Sequence, residues 1–141
     1  MTRARAFRVL CGALGGLLVA LGLLAAGQFF RFHAFPYRHP GAENPLPLDA
    51  YAVYFLAFAG CALIGWGAGL LAAARSPRLG RGIATASAFA LVLAAVQRIF
   101  GWVLGEYPLF ASLLRAEAAI FLLLALALVW LRPPRAAPGG A

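Results

Sequence analysis

Four long apolar runs dominate the chain, and polar residues gather in the segments between them. The runs cover about residues 9–30, 50–74, 82–104 and 108–131. Each is about 20 residues or longer, which is enough for an α-helix to cross the roughly 30 Å hydrocarbon core of a bilayer. The pattern predicts an all-α fold: an integral membrane four-helix bundle with antiparallel helices in chain order.

The segments between the runs predict where the helices begin and end. Residues 31–49 hold four prolines, so we expect one long outer loop, with Asp49 as the N-cap of the second helix. Residues 75–82 are expected to form a tight turn. Gly105 suits the position just after the third helix, and Pro108 suits the first turn of the fourth.

The two ends of the chain are polar. Residues 1–8 form a basic start, residues 9–131 form a single transmembrane domain, and residues 132–141 form a tail that we expect to be disordered. A basic start followed by an apolar run is also typical of a signal peptide. This run is longer than the usual apolar part of a signal, which favours a retained first helix.

Arginine supplies all of the basic charge, with 12 arginines against four acidic residues and a net charge of +8. Most of these arginines lie in the basic start, in the 75–82 segment and in the tail, where no acidic residue occurs. The positive-inside rule therefore predicts that both termini lie in the cytoplasm, at the cell inner membrane. The charge does not predict nucleic-acid binding, because no basic helix or aromatic–basic platform accompanies it.

Four polar residues interrupt the apolar pattern near the outer turn between the third and fourth runs: Gln97, Arg98, Arg115 and Glu117. Counted from the turn at Tyr107, the last three lie at nearly one depth, about 12–15 Å below it. Ionised groups at that depth are costly, and an Arg–Glu pair costs much less than either ion alone. We therefore take these four residues as the candidate binding site.

The facing of the fourth helix stays open at this point. Depth and charge favour contact between Arg98 and Glu117, whereas the small residues around Arg115 favour an inward Arg115 and an outward Glu117. Arg115 and Glu117 are two residues apart, so they point in nearly opposite directions and are not expected to face the third helix together. Three roles compete: a structural ion pair, a proton or anion site, and a contact to a partner helix.

Aromatic residues gather at the outer end, where they form either an interfacial belt or a pocket covered by the long loop. The candidate residues for this outer pocket are His33, His39, Tyr51, Tyr54 and Trp102. The histidine spacing matches no metal-ligand motif, and no cofactor or catalytic group is predicted. Glycine pairs four residues apart, Gly12 with Gly16 and Gly65 with Gly69, predict faces at which helices approach closely.

From Gln97 to Gly101 the chain reads QRIFG, and Glu117 follows early in the last run. In these residues it resembles a family of small bacterial four-helix membrane proteins, a domain of unknown function near the DoxX-like proteins. The resemblance covers mainly the third and fourth helices. It implies four spans, and it implies no reaction, cofactor or catalytic residue.

The sequence favours a small multi-pass membrane protein that is not an enzyme, an accessory or structural subunit. Its expected partners are the lipid bilayer and either further copies of itself or a larger membrane complex. Two alternatives stay open. One is a small transporter or channel that uses the intramembrane Arg/Glu cluster, and the other is a redox-linked membrane accessory protein whose histidines would bind haem or metal.

Overall fold

The computed structural model of this chain describes residues 2–38, 49–105 and 111–134. Regular structure within these ranges is helical throughout. The helices are α1 (Arg3–Arg38), α2 (Ala50–Arg75), α3 (Pro77–Val103) and α4 (Ala111–Leu131). By length and composition all four could cross a membrane, which confirms the prediction of an all-α chain with four candidate spans.

The first helix is longer than predicted. It continues to Arg38, so the expectation that a loop begins at residue 31 is wrong. The prolines misled because three of the four come after the last residue of the helix, and a proline acts on its own position, the residue before it and the preceding turn only. Pro36 alone lies within α1, in its last turn. The remainder of the expected loop, residues 39–48, lies outside the described residues.

A single residue separates the second helix from the third. Ser76 is extended (φ −122°, ψ 112°), and Pro77 begins α3. The expected turn over residues 75–82 is therefore wrong, because residues 77–82 are helical. The physical reason is that proline favours an extended residue before it and suits the first turn of a helix, where its missing N–H is not needed.

Two predicted helix ends are confirmed. The Asp49 carboxylate accepts a hydrogen bond from the Ala52 amide at 2.7 Å, the contact that an N-cap residue makes. Gly105 follows α3 with φ +69°, a backbone conformation that a residue with a side chain adopts at a cost. The predicted role of Pro108 lies outside the described residues.

The chain divides into two compact units. One is formed by residues 12–71 and holds most of α1 and α2. The other holds α3, α4, residues 2–11 at the start of α1 and residues 72–75 at the end of α2. We call them the α1–α2 unit and the α3–α4 unit.

In the α1–α2 unit the two helices approach through glycines seven residues apart. Gly15 lies against Gly67, and Gly22 lies against Gly60. A Cβ added at Gly22 would lie 2.6 Å from the Gly60 carbonyl oxygen, and one added at Gly67 would lie 2.6 Å from the Gly15 carbonyl oxygen. No Cβ fits at such distances, so the glycines set how closely the backbones approach. We call these four residues the glycine seam.

The glycines that the sequence singled out are different ones. Gly12, Gly16 and Gly65 have open space where a Cβ would be. A helix that winds along its neighbour presents the same side every 3.5 residues on average, so positions seven apart stay in the contact. The four-residue spacing was therefore the wrong guide to the glycines that meet in this unit.

In the α3–α4 unit the helices pack through small and medium apolar residues that follow each other in steps of three, four or seven residues. The buried residues of this α3–α4 seam are Ala84, Ala88, Leu91 and Ala95 on α3 and Leu114, Ala118, Ala125 and Leu128 on α4. Large apolar side chains elsewhere on both helices are exposed, among them Phe89 and Trp130. An apolar outer surface is what lipid tails require, and the seam is distinguished from it by residue size rather than by polarity.

We predict that Gly22→Ala and Gly67→Ala each lower the stability of the folded protein by about 1–3 kcal/mol, because the added methyl group meets backbone atoms. Gly12→Ala and Gly65→Ala are the matched controls. They should leave stability unchanged or raise it by up to about 1 kcal/mol, since alanine is the better helix former. Thermal unfolding in one detergent measures all four. Equal stability of Gly22→Ala and Gly12→Ala would contradict the glycine seam.

Candidate functional site

An ion pair joins the third helix to the fourth. The Arg98 Nε atom lies 2.7 Å from the Glu117 Oε2 atom. The Nε–H group is not aligned on that oxygen as a hydrogen bond requires, so the contact is mainly electrostatic. The pair is the arrangement that depth and charge favoured in the sequence, and the alternative with Glu117 turned away from Arg98 is wrong.

The spacing of the α3–α4 seam places Arg98 in this contact. Ala95, Arg98 and Trp102 continue the three- and four-residue steps of the buried α3 residues. Glu117 directly precedes the buried Ala118, so it stands at the edge of the same seam. Arg98 and Glu117 therefore meet because each extends the packing of its helix toward the end that carries Gly105.

The pair is shallow relative to the helix ends. Arg98 lies five residues before Val103 and Glu117 six residues after Ala111, or about 7.5 to 9 Å of helix. The side chains are 35% and 33% exposed, although the Arg98 Nε atom itself is buried in the contact. Long side chains at such a depth can turn toward the membrane surface, which lowers the cost of their charge.

The second arginine of the hairpin has an aromatic partner. The guanidinium carbon of Arg115 lies 5.3 Å from the ring centroid of Trp102, in a cation–π contact. Arg115 is exposed while its neighbour Leu114 is buried, so of the two facings that the sequence left open, the one with Arg115 inward is wrong. Arg115 and Glu117 both contact α3, contrary to the prediction. They lie on either side of the line of buried α4 residues, and the long Arg115 side chain reaches Trp102 from its side.

Gln97 adds little to the pair. Its side chain is exposed, and its Oε1 atom accepts a hydrogen bond from Arg98 Nη1 at 3.4 Å, which is long. Arg98, Arg115 and Glu117 together carry a net charge of about +1 when all three are ionised. This arrangement can hold α3 against α4, and among the described residues Arg115 has no carboxylate partner.

The residues proposed for an outer pocket have local contacts or face outward. Tyr51 is 78% exposed and Tyr54 is exposed on α2. The ring of His33 lies 4.2 Å from that of Phe29, and its Nδ1 atom lies 2.8 Å from the Phe29 carbonyl oxygen. These exposures are typical of an interfacial belt.

The other two candidates for the outer pocket are Trp102 and His39. Trp102 contacts Arg115 in the α3–α4 unit, and His39 lies outside the described residues. Over the part of the chain that is described, no group of three His, Cys, Asp or Glu side chains could hold a metal ion.

Comparisons with models of protein families, with curated proteins and with solved structures give no significant match. The resemblance carried by residues 97–101 and Glu117 therefore stays a prediction.

Sequence reasoning missed a polar network at the opposite end of the α3–α4 unit. Arg3 donates to the Trp130 carbonyl in the last turn of α4. Arg81 Nη1 donates to the Pro133 carbonyl at 3.2 Å, and Arg132 Nη1 donates to Thr85 Oγ1 at 3.0 Å. These arginines come from segments far apart in the chain, so no spacing in the sequence indicates their contacts. They served only as topology signals.

We predict that Arg98→Glu and Glu117→Arg each destabilise the protein by about 1–3 kcal/mol, because each places two like charges together near hydrocarbon. The exchanged double variant should recover most of that loss, since the pair is restored with its ends reversed. A double-mutant cycle of thermal unfolding in detergent measures the coupling. Additive losses in the double variant would mean that the pair does not join the helices, and Gln97→Ala serves as a neighbouring control.

Proposed function

We propose that this chain is a small multi-pass protein of the cell inner membrane that acts as an accessory or structural subunit rather than as an enzyme. It folds as an antiparallel four-helix bundle with both termini in the cytoplasm. The observation that carries the proposal is the Arg98–Glu117 pair at 2.7 Å, because it commits the only acidic residue of the apolar runs to a helix–helix contact.

The three charged residues of the hairpin all contact a neighbouring helix. Glu117 is held by Arg98, and Arg115 lies over Trp102. A transport carboxylate has to release and rebind its ion or proton during a cycle, whereas the Glu117 carboxylate lies 2.7 Å from Arg98 in a helix–helix contact. An ion pair that only holds α3 against α4 needs no such cycle, so the geometry favours a structural role.

Contacts within each unit support the antiparallel order. In the α1–α2 unit the residue numbers run in opposite directions along the contact, from Gly15 with Gly67 to Gly22 with Gly60. In the α3–α4 unit, Arg98 meets Glu117 near one end, and Thr85 meets Arg132 near the other.

The arginine distribution supports the proposed topology. Arginines lie at three places: the start of α1, the junction of α2 with α3 around Ser76, and the residues after α4. If all four helices span the membrane, these three places lie on the same side of it. By the positive-inside rule that side is the cytoplasm.

A small anion transporter or channel is the second candidate, and the observation in its favour is Arg115. This arginine is exposed, and within the described ranges its partner is the Trp102 ring and not a carboxylate, so its positive charge is available to an anion. The two candidates predict different effects when the Glu117 charge is removed. A structural subunit would lose stability at the contact between α3 and α4, and a transporter or channel would change its ion flux.

We predict that reporters fused after Ala141 and before Met1 report a cytoplasmic location for both ends. A fluorescent protein that matures only in the cytoplasm and an alkaline phosphatase that is active only outside it give opposite readings for each fusion. A phosphatase fusion after Arg38 is the matched control and should be active. Phosphatase activity at either terminus would contradict the proposed topology.

We predict that proteoliposomes containing the full chain pass chloride and protons no faster than empty vesicles of the same lipid. Glu117→Gln should lower the melting temperature in detergent without changing that flux, because the clasp loses its acceptor charge. Anion flux that requires Arg115, tested with Arg115→Gln, would instead support the transporter. Arg31→Gln controls for loss of an arginine elsewhere.

A further inference from the structure

A cavity of about 510 Å³ lies at the arginine-rich end of the α3–α4 unit. Its walls come from the first turns of α1, the last turn of α2 and the residues that end and follow α4. Four arginines line it: Arg3, Arg8, Arg75 and Arg132. Cavities of this size accommodate small molecules and headgroups rather than single ions.

The floor of the cavity is apolar. Phe7 is buried in the lining, and its ring packs so closely on Gly80 that a Cβ there would lie 3.0 Å from the ring. Leu131 and Pro133 add further apolar surface. The cavity therefore joins a cationic wall to a hydrocarbon floor, a combination that suits a ligand with an anionic head and an apolar body.

The described residues do not neutralise this positive charge. None of the lining residues is acidic. Among the described carboxylates, Glu117 pairs with Arg98, and Asp49 caps the start of α2. Four cations around one cavity repel each other unless a counter-charge is present, so an anion bound there would stabilise them.

The four arginines divide into two kinds. Arg3 and Arg132 donate to protein acceptors on α4 and α3, which holds their side chains in place. Arg8 and Arg75 are exposed, and within the described ranges neither takes part in a hydrogen bond or an ion pair. Their guanidinium groups are therefore the ones free to bind a phosphate, whose oxygens match the two-pronged arginine donor.

We propose that this cavity binds the phosphate headgroup of an anionic phospholipid. Arg8 and Arg75 would bind the phosphate, and the glycerol and first acyl carbons would lie against Phe7 and Leu131. A soluble phosphate shares the headgroup chemistry but makes no use of the apolar floor. The cavity lies at the ends of candidate membrane spans, where headgroups reside.

The inference rests on membrane insertion and not on the accessory role or the Arg98–Glu117 clasp. It explains more than the positive-inside rule does. That rule requires arginines near the membrane surface, but it does not require four of them around one cavity with an apolar floor. Arg78 separates the two explanations, because it lies at the same end of the unit, on the first turn of α3, and does not line the cavity.

The test is a lipid titration of the full chain in a neutral detergent, followed by thermal unfolding. Phosphatidylglycerol should raise the melting temperature in a saturable way, and phosphatidylcholine should not. Arg8→Gln and Arg75→Gln should each weaken the apparent phosphatidylglycerol affinity by about tenfold or more, as loss of a charge-assisted hydrogen bond does. Arg78→Gln is the matched control and should weaken it by no more than about fivefold, the general effect of one surface cation.

A second variant fills the cavity without changing charge. Ala4→Phe places a ring in the lining, and it should abolish the phosphatidylglycerol effect while the protein still unfolds cooperatively. Because Arg8 and Arg75 are exposed, their glutamine variants keep the test decisive if Ala4→Phe fails to fold.

Three results would overturn the proposal. Equal losses in Arg8→Gln and Arg78→Gln would show only a general electrostatic attraction. Wild-type affinity in folded Ala4→Phe would place the lipid elsewhere. Stabilisation by inorganic phosphate equal to that by phosphatidylglycerol would identify a soluble phosphate as the occupant. The topology and flux measurements stand or fall independently of all three.

Discussion

An ionised side chain near hydrocarbon needs a partner, and this constraint decides how the third helix meets the fourth. Arg98 and Glu117 satisfy each other at 2.7 Å, and Arg115 finds the face of Trp102. Because the described helix ends lie only about one and a half turns away, the two side chains of the pair stay about one-third exposed. The result is a contact that holds two helices together and still leaves one positive charge at the surface.

Packing between the helices obeys a second constraint, since lipid tails are as apolar as the helices themselves. Hydrophobicity therefore does not determine which helix faces pack together. Small residues determine it, because they allow two helices to approach closely. In the α1–α2 unit this role falls to glycines, with Gly22 against Gly60. In the α3–α4 unit it falls to alanines such as Ala84 and Ala95, which are fully buried.

The two ends of the α3–α4 unit differ in charge balance. At one end Glu117 pairs with Arg98 within the protein. The other end carries arginines alone, and two of the four that line its cavity, Arg8 and Arg75, have no acceptor among the described residues. The first end is suited to hold α3 against α4, and the second is suited to bind anionic headgroups at the membrane surface.

The sequence by itself determined the four apolar helices, the cap at Asp49 and the glycine after α3, because hydropathy, capping and positive φ depend on neighbouring residues alone. Equal depth and opposite charge favoured a contact of Arg98 with Glu117, but the small residues around Arg115 favoured the opposite facing of α4, so the sequence left the choice open. Only the tertiary structure decided which glycines meet and where Arg115 points. Those choices depend on how far one helix is rotated against another, and they are made by long-range packing that no local spacing records.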